Sequence, residues 1–391
     1  MIKIAFFAEI LIEECDGASR TMFQIINRID STQFSFLFIY GKGPEQIDKH
    51  ASIRIPTLNT GLNADYSFSL PALVSVQVKQ QLDTFQPDVI HIATPSLLGF
   101  FALRYAKSRN IPVISLYHTN FLSYIPYYFR KIPVLIKPVK QWMTAAMQRF
   151  YNRCDVVYVP SRAMQVQLEG LGVERDKMVL WQRGIDLNLF NPQKRDVAYV
   201  QGITGNDRPN ILFASRLVWE KNVQILIEIY NRLQDMHLSY NFIVAGDGAA
   251  KEEMQRQMPE AIFMGNLPHA ELAKLYASCD TFVFPSVSET YGNVVVEAMA
   301  SGLPCVIADG GGSADLVRHG QTGYKCAAES AEDYIIYIRL LLNDPVLHGF
   351  ITRTGLSYVQ GFDWKKLTDR YFDEVTQLGM QSNKDLVWAA C

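Results

Sequence analysis

Two carboxylates, Glu289 and Glu297, stand eight positions apart in SETYGNVVVEAMASGLP (288–304), a stretch otherwise dominated by small, apolar and turn-forming residues. On a single helix, eight steps of about 100° would leave them roughly 80° apart, so they would not share a tight face. The segment reads instead as strand, turn and helix. TFVFPS (281–286) is a short buried strand, Ser288 to Asn293 is turn chemistry, and VVVEAMA opens a helix with Asn293 as its N-cap. Glu289 then lies in a loop at the carboxyl end of a strand and Glu297 one turn into the helix that follows, where open α/β sheets hold ligands. On spacing alone, a solvated helix acid and a loop acid fit the pattern equally.

Cations occupy the equivalent place after another strand. SRLVWEKN (215–222) puts Arg216 at the end of NILFASR and Lys221 at the start of the next helix. Two cations beside helix amino termini, whose partial positive charge favours anions, make a phosphate site. The plain alternative is a pair of surface cations at a helix start. GDG (246–248), with Gly246 at its head, and DGGGSAD (309–315) follow two further strands at the same edge. Each alone marks only a turn.

The elements that must present these residues alternate along the chain. KIAFFAE (3–9), FSFLFIY (34–40), DVIHIA (88–93), PVISLYH (112–118) and DVVYVPS (155–161) are strand-like, with amphipathic helical stretches such as RTMFQIINRI between them. The pattern restarts after the polar interval QKRDVAYVQGITGNDRPN (193–210), with NILFASR, YNFIVAGDG, AIFMG, DTFVFPS and PCVIAD. The predicted class is α/β, with two doubly wound domains at 1–195 and 196–364 and a hinge near 193–210. An amphipathic helix beginning WKKLTDRYFDEVTQL (364–378) closes over one of the two domains; composition does not choose between them, and packing back on the first over about 365–391 is one of the two arrangements.

The chain has 391 residues, 49% hydrophobic and 19% charged, which suits two globular domains and excludes a disordered protein. Its net charge of −2 hides an asymmetry: residues 1–195 carry 22 Lys and Arg against 15 Asp and Glu, and the remainder 15 against 24. The six cysteines show no metal-ligand cadence and read as reduced thiols of a cytosolic protein. The opening MIKIAFFAEI reaches Glu9, Glu13 and Glu14 too soon for a signal peptide and reads as a first strand. No run approaches a transmembrane helix, so the expected location is cytoplasmic.

Taken in order, DGASRT (16–21), YHTNF (117–121), VPS (159–161), RGID (183–186), SRLVWEKN, GDG, SVSETYGNVVVEAMASGLPCV and GGGSADLVRHGQTG resemble the motifs of family 4 retaining glycosyltransferases with the GT-B fold, over most of the chain. The resemblance implies two Rossmann-like domains facing a central cleft, and it makes the two glutamates the family's E-x7-E signature. Carried over, Glu297 accepts hydrogen bonds from the donor ribose and Glu289 contacts the transferred sugar. Backbone amides around Tyr291, Gly292, Asn293 and Val294 meet the sugar and diphosphate, while Arg216 and Lys221 neutralise the departing diphosphate. His118 would sit near the sugar, although a strand-end histidine is also a common structural residue. Gly17 permits close approach to diphosphate and acceptor, and Gly246 belongs to the donor side. Retention implies departure and attack on one face, assisted by the leaving phosphate, with no protein nucleophile. No D-x-D pair occurs in the sequence, so neither a metal nor a cofactor is expected, the nucleotide sugar being a substrate. Tyr291 where Phe is more frequent, Asp315 where Glu is common and Ala18 in place of a second Gly bear on the choice of sugar and acceptor.

From Phe121 to Cys154 there is no acidic residue but six cations, Arg130, Lys131, Lys137, Lys140, Arg149 and Arg153, interleaved with Tyr124, Tyr127, Tyr128, Phe129 and Trp142. Basic and aromatic residues together suit an anionic membrane surface, and would make the protein peripheral on the cytoplasmic face. A solvated basic face over buried aromatics, or a groove for a soluble anionic acceptor, fits the same residues. HTNFLSYIPYYFRK and LWQRGIDLNLFNP are similar to sulfoquinovosyl diacylglycerol synthases and related lipid glycosyltransferases and mannosyltransferases. The expected acceptor is therefore a diacylglycerol or glycolipid, with a soluble or polysaccharide acceptor as the close alternative. A nucleotide-sugar binder without transfer activity is the reading from a different class. No nucleic-acid recognition motif is present.

Overall fold

The computed structural model describes every residue except 14–16, 60–66, 119, 121, 123–124, 127–128, 130–131 and 390–391, and only the backbone of 59, 67–68 and 382–389. Two parallel sheets carry the chain. The first has seven strands: β1 (Ile2–Ile10), β2 (Phe34–Lys42), β3 (Ala51–Arg54), β6 (Val89–Ile92), β7 (Val113–Leu116), β8 (Val156–Val159) and β9 (Met178–Leu180). Their order is β3-β2-β1-β6-β7-β8-β9, and the two-stranded hairpin β4 (Thr57–Asn59) and β5 (Ser67–Ser69) lies outside it. The second has six: β10 (Asn210–Ala214), β11 (Asn241–Ala245), β12 (Ile262–Gly265), β13 (Thr281–Phe284), β14 (Cys305–Ala308) and β15 (Tyr324–Cys326), in the order β12-β11-β10-β13-β14-β15.

Helices cover both faces, so the strands are continuous apolar runs rather than alternating ones. Along β1, Ala5 and Phe7 pack with Phe101 and Phe150 on one face, whereas Ile4 and Phe6 pack with Met22, Tyr371 and Val375 on the other. Each sheet reverses its winding next to its first strand, between β1 and β6 and between β10 and β13. In open α/β sheets a crevice forms at the carboxyl end of such a switch point. Gly17, Lys221 and Glu289 follow strands that end there, and His118 follows β7, the neighbour of β6.

The sheet positions match the apolar runs in the sequence, while β3, β9 and β15 are short edge strands that the pattern did not mark. The polar interval 193–210 is partly helical. Asp196 caps a helix over Val197–Thr204 by accepting from Tyr199 N at 2.9 Å, and Val200 is buried in the second core. The helix Trp364–Ala389 returns to the first sheet. Tyr371 Oη lies 2.9 Å from His91 Nδ1, Tyr158 Oη donates to Glu374 Oε2 at 3.1 Å, and Trp181 Nε1 donates to Leu367 O at 3.0 Å. His91 is fully buried and stacked on Phe6 with ring centroids 4.2 Å apart. Burial drives its imidazole down to about 3, with a smaller push from His118, so this joint stays neutral. Cys154, Cys279, Cys305 and Cys326 are free and buried, and burial pushes their thiols up. Cys15 and Cys391 lie outside the described residues.

Candidate active site

The carboxyl ends of β10 and β13 supply one wall of the cleft. After β10 the chain runs through Arg216, whose side chain is exposed, into a single turn Trp219–Lys221. Asn222 adopts a left-handed conformation with φ 57°. Its amide pins the turn by donating to Pro285 O at 3.2 Å and Ala328 O at 2.8 Å. Lys221 is thereby folded inward. It is 5% exposed, and its ammonium forms an ion pair with Glu289 Oε1 and lies 3.4 Å from Ser288 Oγ. A buried ammonium with one carboxylate and a hydroxyl beside it is a charge-matched site that an incoming phosphate can enter by exchanging partners.

Gly292 precedes the helix Asn293–Ala300 with φ 103°, and a Cβ there would meet Ser313 Cβ at 2.7 Å. The structure therefore corrects the capping assignment: Gly292 holds the cap, because only a residue at ease with positive φ fits. Asn293 is instead the first helical residue, and its Oδ1 accepts from Arg183 Nη1 at 3.4 Å. Val294 follows in the first turn, half-buried. The glycine loop after β14 closes under this turn, with Gly312 N donating to Glu289 O at 2.7 Å. Gly246, at the end of β11, has φ 133°, and a Cβ there would lie 1.9 Å from Ser215 O. Gly246→Ala is expected to cost about 2 to 3 kcal/mol through backbone strain, lowering the melting temperature by roughly 5 to 10 °C. Differential scanning calorimetry checks this.

Glu297 is 5% exposed. Burial raises its carboxyl above the usual range, opposed first by Arg20 and then by Tyr276. Tyr276 Oη donates to Glu297 Oε2 at 3.5 Å, and Arg20 Nη1 lies 4.0 Å from Oε1. The two glutamates are thus each matched to a cation, Glu289 to one from its own sheet unit and Glu297 to one reaching across from the first.

The first sheet supplies the opposite wall. Gly17 starts the helix Gly17–Ile26, and a Cβ on it would stand 3.0 Å from Asn293 Nδ2 and 3.1 Å from Arg183 Nη1. His118, after β7, is half-buried, and its Nε2 lies 3.3 Å from Thr94 Oγ1. Its carbonyl accepts from Thr290 Oγ1 at 3.0 Å, which joins the Glu289 loop to the first sheet. Tyr291 is 1% exposed and donates its hydroxyl to Arg183 O at 2.7 Å, with the Arg183 guanidinium 5.8 Å above its ring. Its side chain is therefore a tie between the two halves, and only its backbone is available to a ligand. Ser161 Oγ donates to Thr290 O at 2.9 Å, and Ala163 N donates to Asp315 Oδ2 at 2.8 Å.

The structure therefore brings Lys221, Glu289, Gly292, Asn293, Glu297, Gly17 and His118 to one cleft. Sequence reasoning missed Arg20, Arg183, Thr290 and His269, whose Nε2 accepts from Arg20 Nη1. Arg20 and Arg183 stand inside DGASRT and RGID, so the motifs held the signal, but their partners lie in the other half of the chain.

The basic segment lies elsewhere. Arg130 and Lys131 fall outside the described residues, as do Tyr124, Tyr127 and Tyr128. On the helix Ile136–Tyr151, Lys137 and Lys140 are exposed and Trp142 is 70% exposed, with Ile132, Val134 and Leu135 exposed just before it. Lys137 and Lys140 border a groove of about 500 Å³. Phe129 instead packs against the first core. No described helix is long and apolar enough to cross a membrane.

The chain is similar to known glycosyltransferases over most of its length. Residues 15–189 match Glycosyltransferase Family 4, and residues 200–355 match Glycosyl transferases group 1. The sulfoquinovosyl transferase SQD2 of Arabidopsis thaliana is 32% identical over 78% of the chain, which spans 59% of that protein's length. A GDP-mannose-dependent alpha-mannosyltransferase of Mycobacterium tuberculosis is 28% identical over 82% of the chain and 83% of its own length. An alpha-monoglucosyldiacylglycerol synthase of Streptococcus pneumoniae is 26% identical over 79% of the chain and 71% of its own. The fold is shared with Anabaena HepE, solved with UDP and glucose, at a TM-score of 0.75 and 20% identity over 96% of this chain and all of that one. The chain belongs to glycosyltransferase family 4 and has the GT-B fold.

Proposed function

We propose that this enzyme transfers a hexosyl group, with retention of configuration and without a metal, from a nucleotide diphosphate sugar to a hydroxyl of a diacylglycerol or glycolipid at a membrane surface. The observation that carries the reading is the buried Lys221–Glu289 pair at the second switch point, beside the amino end of the Asn293–Ala300 helix and opposite Gly17 and His118. The donor ribose hydroxyls donate to Glu297, and Glu289 holds the sugar. The diphosphate takes Lys221 and Arg216 together with the amides of the helix start. In the transfer, the bond from the anomeric carbon to the phosphate oxygen breaks as the acceptor oxygen bonds on the same face. The acceptor hydroxyl proton passes to the leaving phosphate. No covalent enzyme intermediate forms, and Arg216 and Lys221 balance the charge that develops.

The membrane surface is supported by the exposed Trp142, Val134 and Ile132 beside Lys137 and Lys140, since an interfacial aromatic with flanking cations gains from both apolar burial and anionic lipid. The diacylglycerol named for the pneumococcal relative points the same way. Domain closure about the 193–210 interval completes the site.

The test supplies UDP-glucose, UDP-galactose and GDP-mannose in EDTA, with and without anionic vesicles containing diacylglycerol, and follows sugar incorporated into lipid. Transfer that EDTA spares and vesicles enhance is the expected result, with an anomeric coupling constant unchanged from donor to product. Trp142→Ala combined with Lys137→Ala and Lys140→Ala is expected to reduce vesicle flotation while leaving the thermal transition in place. Transfer to soluble glycans alone would replace the lipid acceptor with a carbohydrate one. Nucleotide binding without transfer to any acceptor would contradict the enzymatic reading.

A further inference from the structure

The most unusual contact of the cleft is made by a residue that the motif assignment leaves without a role. Arg20 lies in the first turn of the Gly17–Ile26 helix, three residues after Gly17 and so on the same face. Across the cleft, Glu297 lies four residues after Asn293 on its own helix, again one turn on. The two helices therefore meet in register: Gly17 stands against Asn293, and Arg20 reaches Glu297, 4.0 Å from Nη1 to Oε1. The same Nη1 donates to His269 Nε2, which fixes the proton of a neutral imidazole on Nδ1. Arg20 Nε is buried with no acceptor among the described residues, although the side chain as a whole is 36% exposed.

Among the described residues Arg20 Nε finds no acceptor, and the buried carboxylate that the guanidinium faces is held at 4.0 Å rather than in a close fork. The arrangement is a loose charge match between the two walls of the cleft. Two hydroxyls donating to Glu297 would take over Arg20's electrostatic task. The freed guanidinium would then stand one helical turn from the Gly17 and Asn293 amino termini, where a diphosphate is drawn.

We propose that Arg20 is a third donor-binding cation, supplied by the first domain. Arg20 neutralises Glu297 across the cleft, and when the donor binds it passes to the diphosphate, on the side opposite Arg216 and Lys221. This rests on the functional reading above, in which the ribose occupies Glu297. The exchange couples the two halves of the enzyme to the donor: the nucleoside end displaces Arg20 from Glu297, and the diphosphate end recaptures it.

The exchange distinguishes two ligands that share a base and ribose. A nucleoside must displace Arg20 with no diphosphate to receive it, whereas a nucleoside diphosphate recovers the contact. Isothermal titration of UDP, GDP, uridine and guanosine into wild type, Arg20→Gln and Arg20→Lys separates these. Arg20→Gln is expected to weaken binding of the preferred nucleoside diphosphate about 10- to 100-fold and to leave the matching nucleoside bound as tightly as, or more tightly than, in wild type. Arg20→Lys keeps the charge and is expected to retain most of the diphosphate affinity. Equal losses for nucleoside and nucleoside diphosphate, or wild-type diphosphate affinity in Arg20→Gln, would overturn the role of Arg20 alone. Failure of the wild-type protein to bind either nucleoside diphosphate would overturn the functional reading on which it rests.

Discussion

Replacing Lys221 with Met is expected to lower kcat/KM for the donor by about 100- to 1,000-fold, the range for removing one donor from a preorganised charge-stabilising site. Met keeps most of the alkyl stem and so preserves packing at a position that is 5% exposed. What is lost is the ammonium between Glu289 and the place assigned to the diphosphate. Because charge accumulates on the leaving group as the bond breaks, the loss should appear in kcat and not only in KM. Glu289 is left without its cation, but its side chain is 21% exposed and water reaches it, so the fold should survive. Steady-state kinetics at saturating acceptor, with a thermal melt alongside, read both halves of the prediction. An unchanged kcat/KM with an intact fold would remove Lys221 from the mechanism.

Glu297→Gln separates binding from stability in opposite directions. A neutral amide accepts hydrogen bonds from ribose hydroxyls less strongly than a carboxylate does, so nucleotide affinity is expected to fall by about tenfold or more. Stability should respond to the raised carboxyl pKa, whose main cause is burial and which Arg20 and Tyr276 only partly oppose. A folded pKa above the unfolded one means that the native chain binds its proton first as the pH falls. Above the folded value the native state holds a desolvated charge, and this group subtracts from stability. Below the unfolded value that penalty is absent. Glu297→Gln lacks the penalty throughout. The variant is expected to be at least as stable as wild type at neutral pH, with the difference narrowing as the pH falls through the carboxyl's titration. Denaturant midpoints across pH check the sign, and a variant less stable at neutral pH with no pH dependence would contradict it.

The strands are legible because both faces of each sheet are covered, which makes Ile4–Ala8 of β1 and Phe282–Phe284 of β13 unbroken apolar runs. Tyr324–Cys326 and Met178–Leu180 were not, since three residues at a sheet edge carry no period of their own and pair only because a neighbouring strand offers a partner. The helix after the second switch point follows from VVVEAMA, but residue type alone points to Asn293 as its cap. The backbone instead needs positive φ one residue earlier, at Gly292. Within the site, the residues of one sheet's edge could be gathered from motif order. Contacts between the halves could not, because Arg20 with Glu297, Thr290 with His118 and Tyr291 with Arg183 are separated by more than a hundred residues and depend on how two domains face each other. The motifs located the cleft; the side chains that join its walls needed the fold.

In the proposed function, the cleft between Lys221, Glu297 and the start of the Gly17–Ile26 helix holds the diphosphate of a nucleotide sugar. A crystal structure of the enzyme with UDP or GDP bound tests it most directly. The diphosphate is expected within hydrogen-bond distance of Lys221 and Arg216, with the ribose hydroxyls on Glu297 and the Lys221–Glu289 pair opened to admit phosphate. A nucleotide bound elsewhere, or bound in the cleft with its ribose away from Glu297 and Lys221 still held only by Glu289, would contradict it.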